Sequence, residues 1–283
     1  MTTDRPLACP ALIRPLRPAD LDGALAANTA IGWDHRRPLF DFYGARDDSA
    51  LFVAELDGEI VGTAGATLFA GPAPTGWVHG IVVRPERQRT GLGARLTETA
   101  IAWLHARSAP AVLLLATDAG RPVYERLGFV AGGRYGLFPW PGTGPEADVT
   151  LERMQGQHRS AVHALDRAAT GEDRGGFIDA LAVGGWVATR GTEVLGFHVA
   201  CPWGGGPTIA RDAPTGLRLL RLASSVQRVT TRGVGIPEAN TAAVQYLAGL
   251  GINAERYVTR MWLGAPPRWR ADMIFGVFNF GVA

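Results

Sequence analysis

The clearest hydrophobic pattern in the chain is a short apolar run, followed by an arginine- and glycine-rich loop and then an amphipathic helix. Residues 80–83 are apolar and lead through Pro85 into the loop. Beyond Gly91, apolar side chains recur every three or four residues, the spacing of a helix face that packs on a sheet. These side chains are Leu92, Leu96, Ala100, Trp103 and Leu104. The pattern predicts a strand, a tight loop and a helix in that order.

Other apolar runs in the first half predict a sheet covered by helices. The runs 51–56 and 60–65 are separated by Asp57-Gly58, a dipeptide typical of a tight β-hairpin turn. Residues 12–16 predict an earlier strand, and a helix is expected to begin at residues 18–20 and to extend towards Ile31. The strand around residues 149–151 is expected to close this first domain.

A second strand-and-helix pair follows at residues 111–128. The run 111–117 is apolar almost throughout, which favours a buried parallel strand. Asp118 is in position to cap a helix, and Gly128 is in position to end it.

The same order of elements recurs in the second half of the chain. A polar, unpatterned stretch at residues 153–160 predicts a linker, so we expect two tandem domains, residues 1–154 and 155–283. The predicted elements are a hairpin at 186–190 and 194–199, a helix at 215–226, a strand at 229–231, a helix at 241–250, and apolar segments at 260–265 and 274–278.

Composition narrows the class of protein. All 28 basic residues are arginine, they are scattered along the chain, and the net charge is only +2, which argues against a nucleic-acid-binding protein. We find no apolar run of membrane-spanning length and no signal-peptide pattern, and Cys9 and Cys201 are the only cysteines. A reducing cytoplasm is the expected location, with no membrane partner.

The loop at residues 84–94 has the features of a phosphate-binding site. A loop that opens a helix presents unpaired backbone N–H groups and the positive end of the helix dipole, and Gly91 and Gly93 leave room for a phosphate. A P-loop would need a lysine, which the chain lacks. A dinucleotide-binding fingerprint would need a third glycine where Leu96 stands, and an acidic residue about 20 residues further on.

Two motifs carry a resemblance to a known family. Residues 88–93, Gln-Arg-Thr-Gly-Leu-Gly, resemble the pyrophosphate loop of GCN5-related N-acetyltransferases (GNAT). Residues 124–129, Tyr-Glu-Arg-Leu-Gly-Phe, resemble the fourth helix of that family, and the C-terminal tail resembles the degenerate half of tandem-GNAT proteins. The fold implied is α/β (α+β), with two tandem GNAT-like domains. Each would contain a mixed, mostly antiparallel sheet that splays between strands four and five and is flanked by helices.

The resemblance implies transfer of an acetyl group from acetyl-CoA to a primary amine of a small molecule, by direct attack and without a metal. The backbone of Ile81 and Val83 would pair with the pantetheine arm, and Arg87 or Arg89 would supply charge at the pyrophosphate. Tyr124 would protonate the departing thiolate. The residues implied in cofactor binding are Ile81, Val82, Val83, Gln88, Arg89, Thr90, Gly91, Leu92, Gly93, Ala94, Thr117, Gly120 and Tyr124.

The general base and the acceptor site remain open at this stage. His79 lies on the fourth strand, in phase with Ile81 and Val83, where the family often carries a basic group; a structural role is the alternative. Asp34 and His35 are rival candidates for the base. Trp33 and Asp34 fall where GNAT proteins form their acceptor pocket.

The second half lacks the chemical motifs of the first. Its strand-to-helix loop, residues 211–216, has no paired glycines, and Leu247 stands where the first half has Tyr124. We expect this half to cover the substrate face of the first domain, in a monomer or homodimer. Alternative functions are a non-catalytic acyl-CoA-binding module, which Tyr124 argues against, and acetylation of a protein N-terminus or lysine, which an occluding second half argues against.

Overall fold

The fold consists of two sheets with helices packed against them. The computed structural model describes residues 11–34, 36–71, 73–142, 146–226, 233–266 and 268–283. The first half contains strands β1 (Leu12–Pro15), β2 (Ser49–Leu56), β3 (Glu59–Phe69), β4 (Thr75–Val83), β5 (Ala111–Ala116) and β6 (Val130–Phe138), and helices α1 (Leu21–Thr29), α2 (Arg37–Gly44), α3 (Leu92–His105) and α4 (Arg121–Arg126).

The second half repeats part of this order. Its strands are β7 (Thr150–Arg153), β8 (Gly185–Arg190), β9 (Glu193–Val199), β10 (Thr208–Ala210), β11 (Val234–Pro237), β12 (Arg256–Leu263) and β13 (Ile274–Gly276). Its helices are α5 (Arg159–Thr170), α6 (Gly175–Leu181), α7 (Ala213–Val226) and α8 (Thr241–Gly249). The strand predicted at residues 229–231 lies outside the described residues.

Several local predictions are confirmed. Asp57 and Gly58 form the tight turn between β2 and β3, and both have the positive φ angles of 52° and 82° that such a turn requires. The predicted face of α3 is buried, except that Trp103 is half-buried beneath the guanidinium of Arg107, 3.9 Å from the ring centroid. Gly128, with φ of 90°, follows the end of α4 as expected.

The predicted helix cap at Asp118 is wrong. Asp118 does not cap α4, because the helix begins only at Arg121 and Gly120 is its N-cap residue. The side chain of Thr117 instead accepts a hydrogen bond from the Gly120 N–H, at 3.3 Å. The predicted linker contains a short 3-10 helix, Gly156–His158, and leads directly into α5.

The two halves exchange strands. The first sheet has the order β1-β2-β3-β4-β5-β12-β6-β11, so β12 lies between two strands of the first half and β6 lies between two strands of the second. Both neighbours of β6 are strands of the second half, and residues 149–151 do not join this sheet, so the prediction that they close the first domain is wrong. Strand β7 instead pairs with β8 at the edge of the second sheet, which has the order β13-β10-β9-β8-β7.

Buried contacts also join the halves. The indole N–H of Trp77, on β4, donates a 2.7 Å hydrogen bond to the Glu172 carboxylate, whose pKa burial raises to about 7. Within the second half, close to this contact in the chain, Arg174 forms a buried ion pair with Asp166 at 2.6 Å and also donates to the carbonyl of Ala283. None of the helices in the described ranges has the length and apolar character needed to cross a bilayer.

Candidate active site

Strands β4 and β5 separate in the middle of the first sheet. They pair in parallel only where Thr75, Gly76 and Trp77 lie beside residues 111–113, so the predicted splay is present. The opening is a cavity of about 680 Å³, which we call the β4–β5 cleft. Of the residues predicted to bind the cofactor, those that line it are Ile81, Val82, Val83, Gln88, Arg89, Gly91, Gly93, Ala94, Thr117, Gly120 and Tyr124.

A bulge in β4 changes the side-chain alternation beside this cleft. Gly80 has φ of 60°, and the pairing of β3 with β4 shifts between Thr63 and Gly65. Ile81 and Val83 therefore pack on the cluster beneath α3, whereas His79 stacks on Tyr43 on the other face of the sheet. The prediction that His79 is in phase with Ile81 and Val83 is wrong, because alternation does not continue through the bulge.

The loop between β4 and α3 presents a row of backbone donors. Arg89 and Gly91 have φ of 62° and 83°, and the amides of residues 89–94 have no hydrogen-bond acceptor within the described chain. The side chain of Gln88 donates to the Val83 carbonyl at 3.0 Å, and the hydroxyl of Thr90 donates to the Arg87 carbonyl at 2.8 Å. These bonds hold the loop open at a helix N-terminus, which suits a phosphate group.

Thr90 and Leu92 do not line the β4–β5 cleft. The Thr90 side chain bonds to the loop itself, and the Leu92 side chain is buried in the cluster beneath α3. Their contribution to the loop is therefore limited to their backbone amides.

Tyr124 extends from α4 into the same cleft. Its side chain is 9% exposed, and its ring lies against Gly120, where an added Cβ would be 3.1 Å from Cε2. Within the described residues its hydroxyl has no hydrogen-bond partner, and burial raises its pKa to about 12. The side chain is therefore protonated at neutral pH and available as a proton donor.

A second cavity adjoins the cleft. This inner chamber, of about 80 Å³, lies between the two halves of the chain. The residues that line both cavities are Trp33, His79, Gly80, Leu115, Thr117 and Phe280. The second half contributes Arg256, Val258, Asn279, Phe280 and Gly281 to the chamber, so it covers this face of the first domain as predicted.

His79 lies at the junction of the two cavities. Its Nε2 atom is 3.0 Å from the Thr67 hydroxyl, and its ring stacks on Tyr43 with centroids 4.2 Å apart. Burial, together with the nearby Arg36 guanidinium, lowers the pKa of His79 to about 3. The imidazole is therefore neutral at physiological pH.

The predicted acceptor residues have different positions. Trp33 lines both cavities, whereas Asp34 is exposed and lines neither, and His35 lies outside the described residues. Sequence reasoning missed Arg36 and Arg256, which both line the chamber. Arg36 directly follows the predicted segment and could have been included, but nothing in the local sequence connects Arg256 with it.

The matching region of the second half is filled by its own chain. Asp212 accepts a 2.9 Å hydrogen bond from the Thr215 amide, so its carboxylate occupies the start of α7. Strand β13 pairs with β10 along the edge that β4 leaves open in the first sheet, and Phe275 packs on Gly216. Leu247, at the position that matches Tyr124, is fully buried.

Comparison with known proteins agrees with this arrangement. The model of the acetyltransferase (GNAT) family matches residues 24–129, and a second acetyltransferase (GNAT) domain model matches residues 162–276. The chain belongs to the GNAT acetyltransferase family and carries two of its domains in tandem.

Relatives of known name share part of the chain. A mycothiol acetyltransferase of Acidothermus cellulolyticus is 32% identical over 157 residues, which cover 46% of this chain and 48% of the relative. A mycothiol acetyltransferase of Thermomonospora curvata is 38% identical over 86 residues, 29% of this chain and 28% of the relative. The chain thus spans about half, or less, of the length of these curated relatives.

Solved structures share the fold over nearly the whole chain. A candidate acetyltransferase of Pyrococcus horikoshii has a TM-score of 0.79 at 20% identity and covers 100% of this chain, with 99% of its own length matched. A GCN5-related N-acetyltransferase of Sphaerobacter thermophilus has a TM-score of 0.58 at 16% identity, with 92% and 97% covered. At these identities the likeness concerns the fold alone.

Proposed function

We propose that this protein transfers an acetyl group from acetyl-CoA to a primary amine of a small molecule, by direct attack of the amine on the thioester. The observation that carries the proposal is the continuity of two cavities. The β4–β5 cleft has the amides of residues 89–94, which lack an acceptor, at one end and the Tyr124 hydroxyl along its wall. The inner chamber adjoins the cleft at His79.

The residues present fit acetyl-CoA. The amides of residues 89–94 would bind the pyrophosphate, with Arg89 nearby. The edge of β4 at Ile81 and Val83, beyond the residues that pair with β5, would bind the pantetheine amides as an added strand would. When bound, acetyl-CoA supplies an activated acetyl thioester. Thr117 and Gly120 border the place where its thiol end would lie.

The side chains at the junction divide the proton transfers between them. Tyr124 donates its phenolic proton to the sulfur as the C–S bond breaks. His79, neutral and present in both cavities, accepts the proton that the amine nitrogen loses as the C–N bond forms. Because the His79 pKa is about 3, it is too weak a base for a free ammonium ion, so we propose that the acceptor binds as its neutral amine.

The small volume of the inner chamber, about 80 Å³, supports a small acceptor. Asn279 of the second half donates a 3.1 Å hydrogen bond to the Tyr43 hydroxyl, and Phe280 and Arg256 complete the wall. A protein tail would need an open groove at this place. The relatives named as mycothiol acetyltransferases are consistent with a small-molecule amine.

Replacing Gly93 with valine is expected to raise the KM for acetyl-CoA at least about tenfold. An added Cβ at Gly93 would meet only Val83, at an ordinary contact distance of 3.8 Å, so the folded chain has room for it. The larger side chain would occupy the place of the phosphates. Calorimetric titration of the unaltered protein with acetyl-CoA should give one site per chain, and the variant should bind much more weakly.

Gly156→Val is the matched control for this prediction. Gly156 is exposed, and an added Cβ there would meet nothing within 4 Å. Normal acetyl-CoA binding by Gly93→Val would exclude the loop as the phosphate site. Two sites of similar affinity per chain would show that the second half also binds the cofactor.

We expect kcat/KM for the acceptor to rise with pH, in proportion to the free-amine fraction, up to the acceptor's own pKa. His79 loses its proton near pH 3 and Tyr124 keeps its proton up to about pH 12, so neither changes charge between these values. Of His79, Tyr124 and the acceptor, only the acceptor titrates in this range, and acidification lowers the rate by protonating it. The check is to measure kcat/KM against pH for two acceptors with different amine pKa values, because the inflection of the profile should move with the acceptor. A shared inflection near pH 6.5 would show that His79 titrates as an ordinary histidine.

A further inference from the structure

Two arginines line the inner chamber without a carboxylate partner. Arg36 precedes α2 and Arg256 begins β12, so the two halves of the chain contribute one each. Within the described residues neither forms an ion pair, although Arg37 pairs with Asp41 at 3.0 Å. No aspartate or glutamate is among the described residues that line the chamber.

Aromatic rings hold both guanidinium groups. Arg36 lies over Trp33, 4.5 Å from the ring centroid, and Arg256 lies over Phe280 at 5.5 Å. Both rings also line the β4–β5 cleft, so the two charges lie near the junction at which acetyl transfer is proposed. A guanidinium stacked on a ring keeps its N–H groups in its own plane, where they can bind an anion.

The two positive charges also affect each other. Burial and, to a smaller extent, the Arg256 charge lower the pKa of Arg36 to about 10. Two cations that lie close together at a cavity, without a carboxylate between them, are stabilised by an anionic ligand.

We propose that the acceptor is a small primary amine that also carries an anionic group, a carboxylate or a phosphate, which Arg36 and Arg256 bind in the chamber. This inference rests on the proposed acetyltransferase function and specifies its substrate class. The anion would orient the molecule with its amine towards the thioester. The same charges disfavour an ammonium ion, so they promote the neutral amine that direct attack requires.

The test compares acceptors that differ only in the anion. β-Alanine is paired with β-alaninamide, and phosphoethanolamine with ethanolamine, with release of free CoA as the readout and rates expressed per free amine. One anionic member should have a kcat/KM at least about tenfold above that of its neutral partner. The better of the two anionic members identifies the group as carboxylate or phosphate.

Variants test the two arginines separately. Arg36→Gln and Arg256→Gln should each lower kcat/KM for the anionic acceptor about 10- to 100-fold, mainly through KM. The loss should be at least about tenfold larger for the anionic acceptor than for its neutral partner. Arg36→Lys should restore part of the loss because it keeps the charge. Arg37→Gln, an exposed arginine outside both cavities, is the matched control and should behave as the unaltered protein.

The outcomes separate this inference from the proposed function. Neutral amines that react as well as their anionic partners would overturn the inference while acetyl transfer stands. A raised KM for acetyl-CoA in the glutamine variants, with the acceptor KM unchanged, would also overturn it, because the arginines would then bind the cofactor. If acetyl-CoA binds and no amine reacts, the proposed acetyl transfer to amines fails. Calorimetric titration of each acceptor pair with CoA present then tests the anion site by itself. Tighter binding of the anionic member, lost in both glutamine variants, would support the site, and equal binding of the two members would overturn it.

Discussion

Replacement of Tyr124 with phenylalanine is expected to lower kcat by about 10- to 1000-fold and to leave acetyl-CoA affinity nearly unchanged. The substitution removes only the hydroxyl. The ring keeps its position against Gly120 and its edge-to-face contact with Phe129, with centroids 6.0 Å apart. A loss confined to kcat is the pattern of an interaction made in the transition state.

The raised pKa of Tyr124 is compatible with this role. Burial raises it to about 12, which weakens the phenol as an acid. A thiolate that leaves beside the buried Tyr124 hydroxyl would also be a stronger base than in water. Burial likewise raises the pKa of the Cys201 thiol in this chain well above its usual value. Donor and acceptor therefore shift in the same direction, and the proton transfer keeps much of its driving force.

Single-turnover measurements are the appropriate check, because they isolate the chemical step from product release. Tyr257→Phe is the matched control: Tyr257 is 38% exposed and lines neither cavity, so the same chemical change there should leave the rate unaltered. An unchanged single-turnover rate in Tyr124→Phe would exclude Tyr124 as the proton donor.

The elements around the β4–β5 cleft could be predicted because they depend on local chemistry. Asp57-Gly58 specifies a turn whose φ angles other residues rarely adopt, and Gly91 specifies the left-handed residue before α3. The apolar spacing of α3 needs only one buried face to form a helix. Each of these signals is contained within a few neighbouring residues.

The missed features depend on contacts between distant residues. The alternation of side chains along β4 reverses at the Gly80 bulge, so His79 lies on the opposite side of the sheet from Ile81 and Val83. Pairing with β3 fixes this bulge. Arg36 and Arg256 meet only because β12 inserts beside β5. An apolar run indicates that a strand is buried, but it does not indicate which strands are its neighbours.

A protein that ends at residue 155 is expected neither to fold nor to acetylate any amine. It would lack β12 and β11, so β5 would have a bare edge and β6 would lose both neighbours. Trp77 and Leu113 would lose much of the core that they share with Phe177 and Phe278 of the second half. Each exposed large apolar side chain costs about 1.5–3 kcal/mol, so the loss of several of them is comparable with the total stability of a typical domain, about 5–15 kcal/mol.

Circular dichroism, a thermal melt and CoA release measure this outcome. The control is the full chain with a protease-cleavable peptide inserted between residues 155 and 156. It should be active before cleavage, and it should stay associated and active afterwards, because the strand exchange holds the two parts together without a covalent link. A folded and active fragment 1–155 would contradict the prediction.

The same exchange predicts that the two fragments restore each other. Residues 1–155 and 156–283, produced together, should assemble into an active pair, because β6 and β12 each complete a sheet edge that the other fragment leaves open. Each fragment alone exposes an unpaired apolar strand, which favours aggregation. Adding Met261→Asp to the second fragment should prevent rescue, because this β12 side chain is fully buried in the cluster beneath α3. Val183→Asp in the same fragment is the control and should not prevent rescue, because Val183 is 99% exposed. Rescue that is equally efficient with both variants would show that β12 does not join the fragments, and the inner chamber would then need another explanation for its second wall.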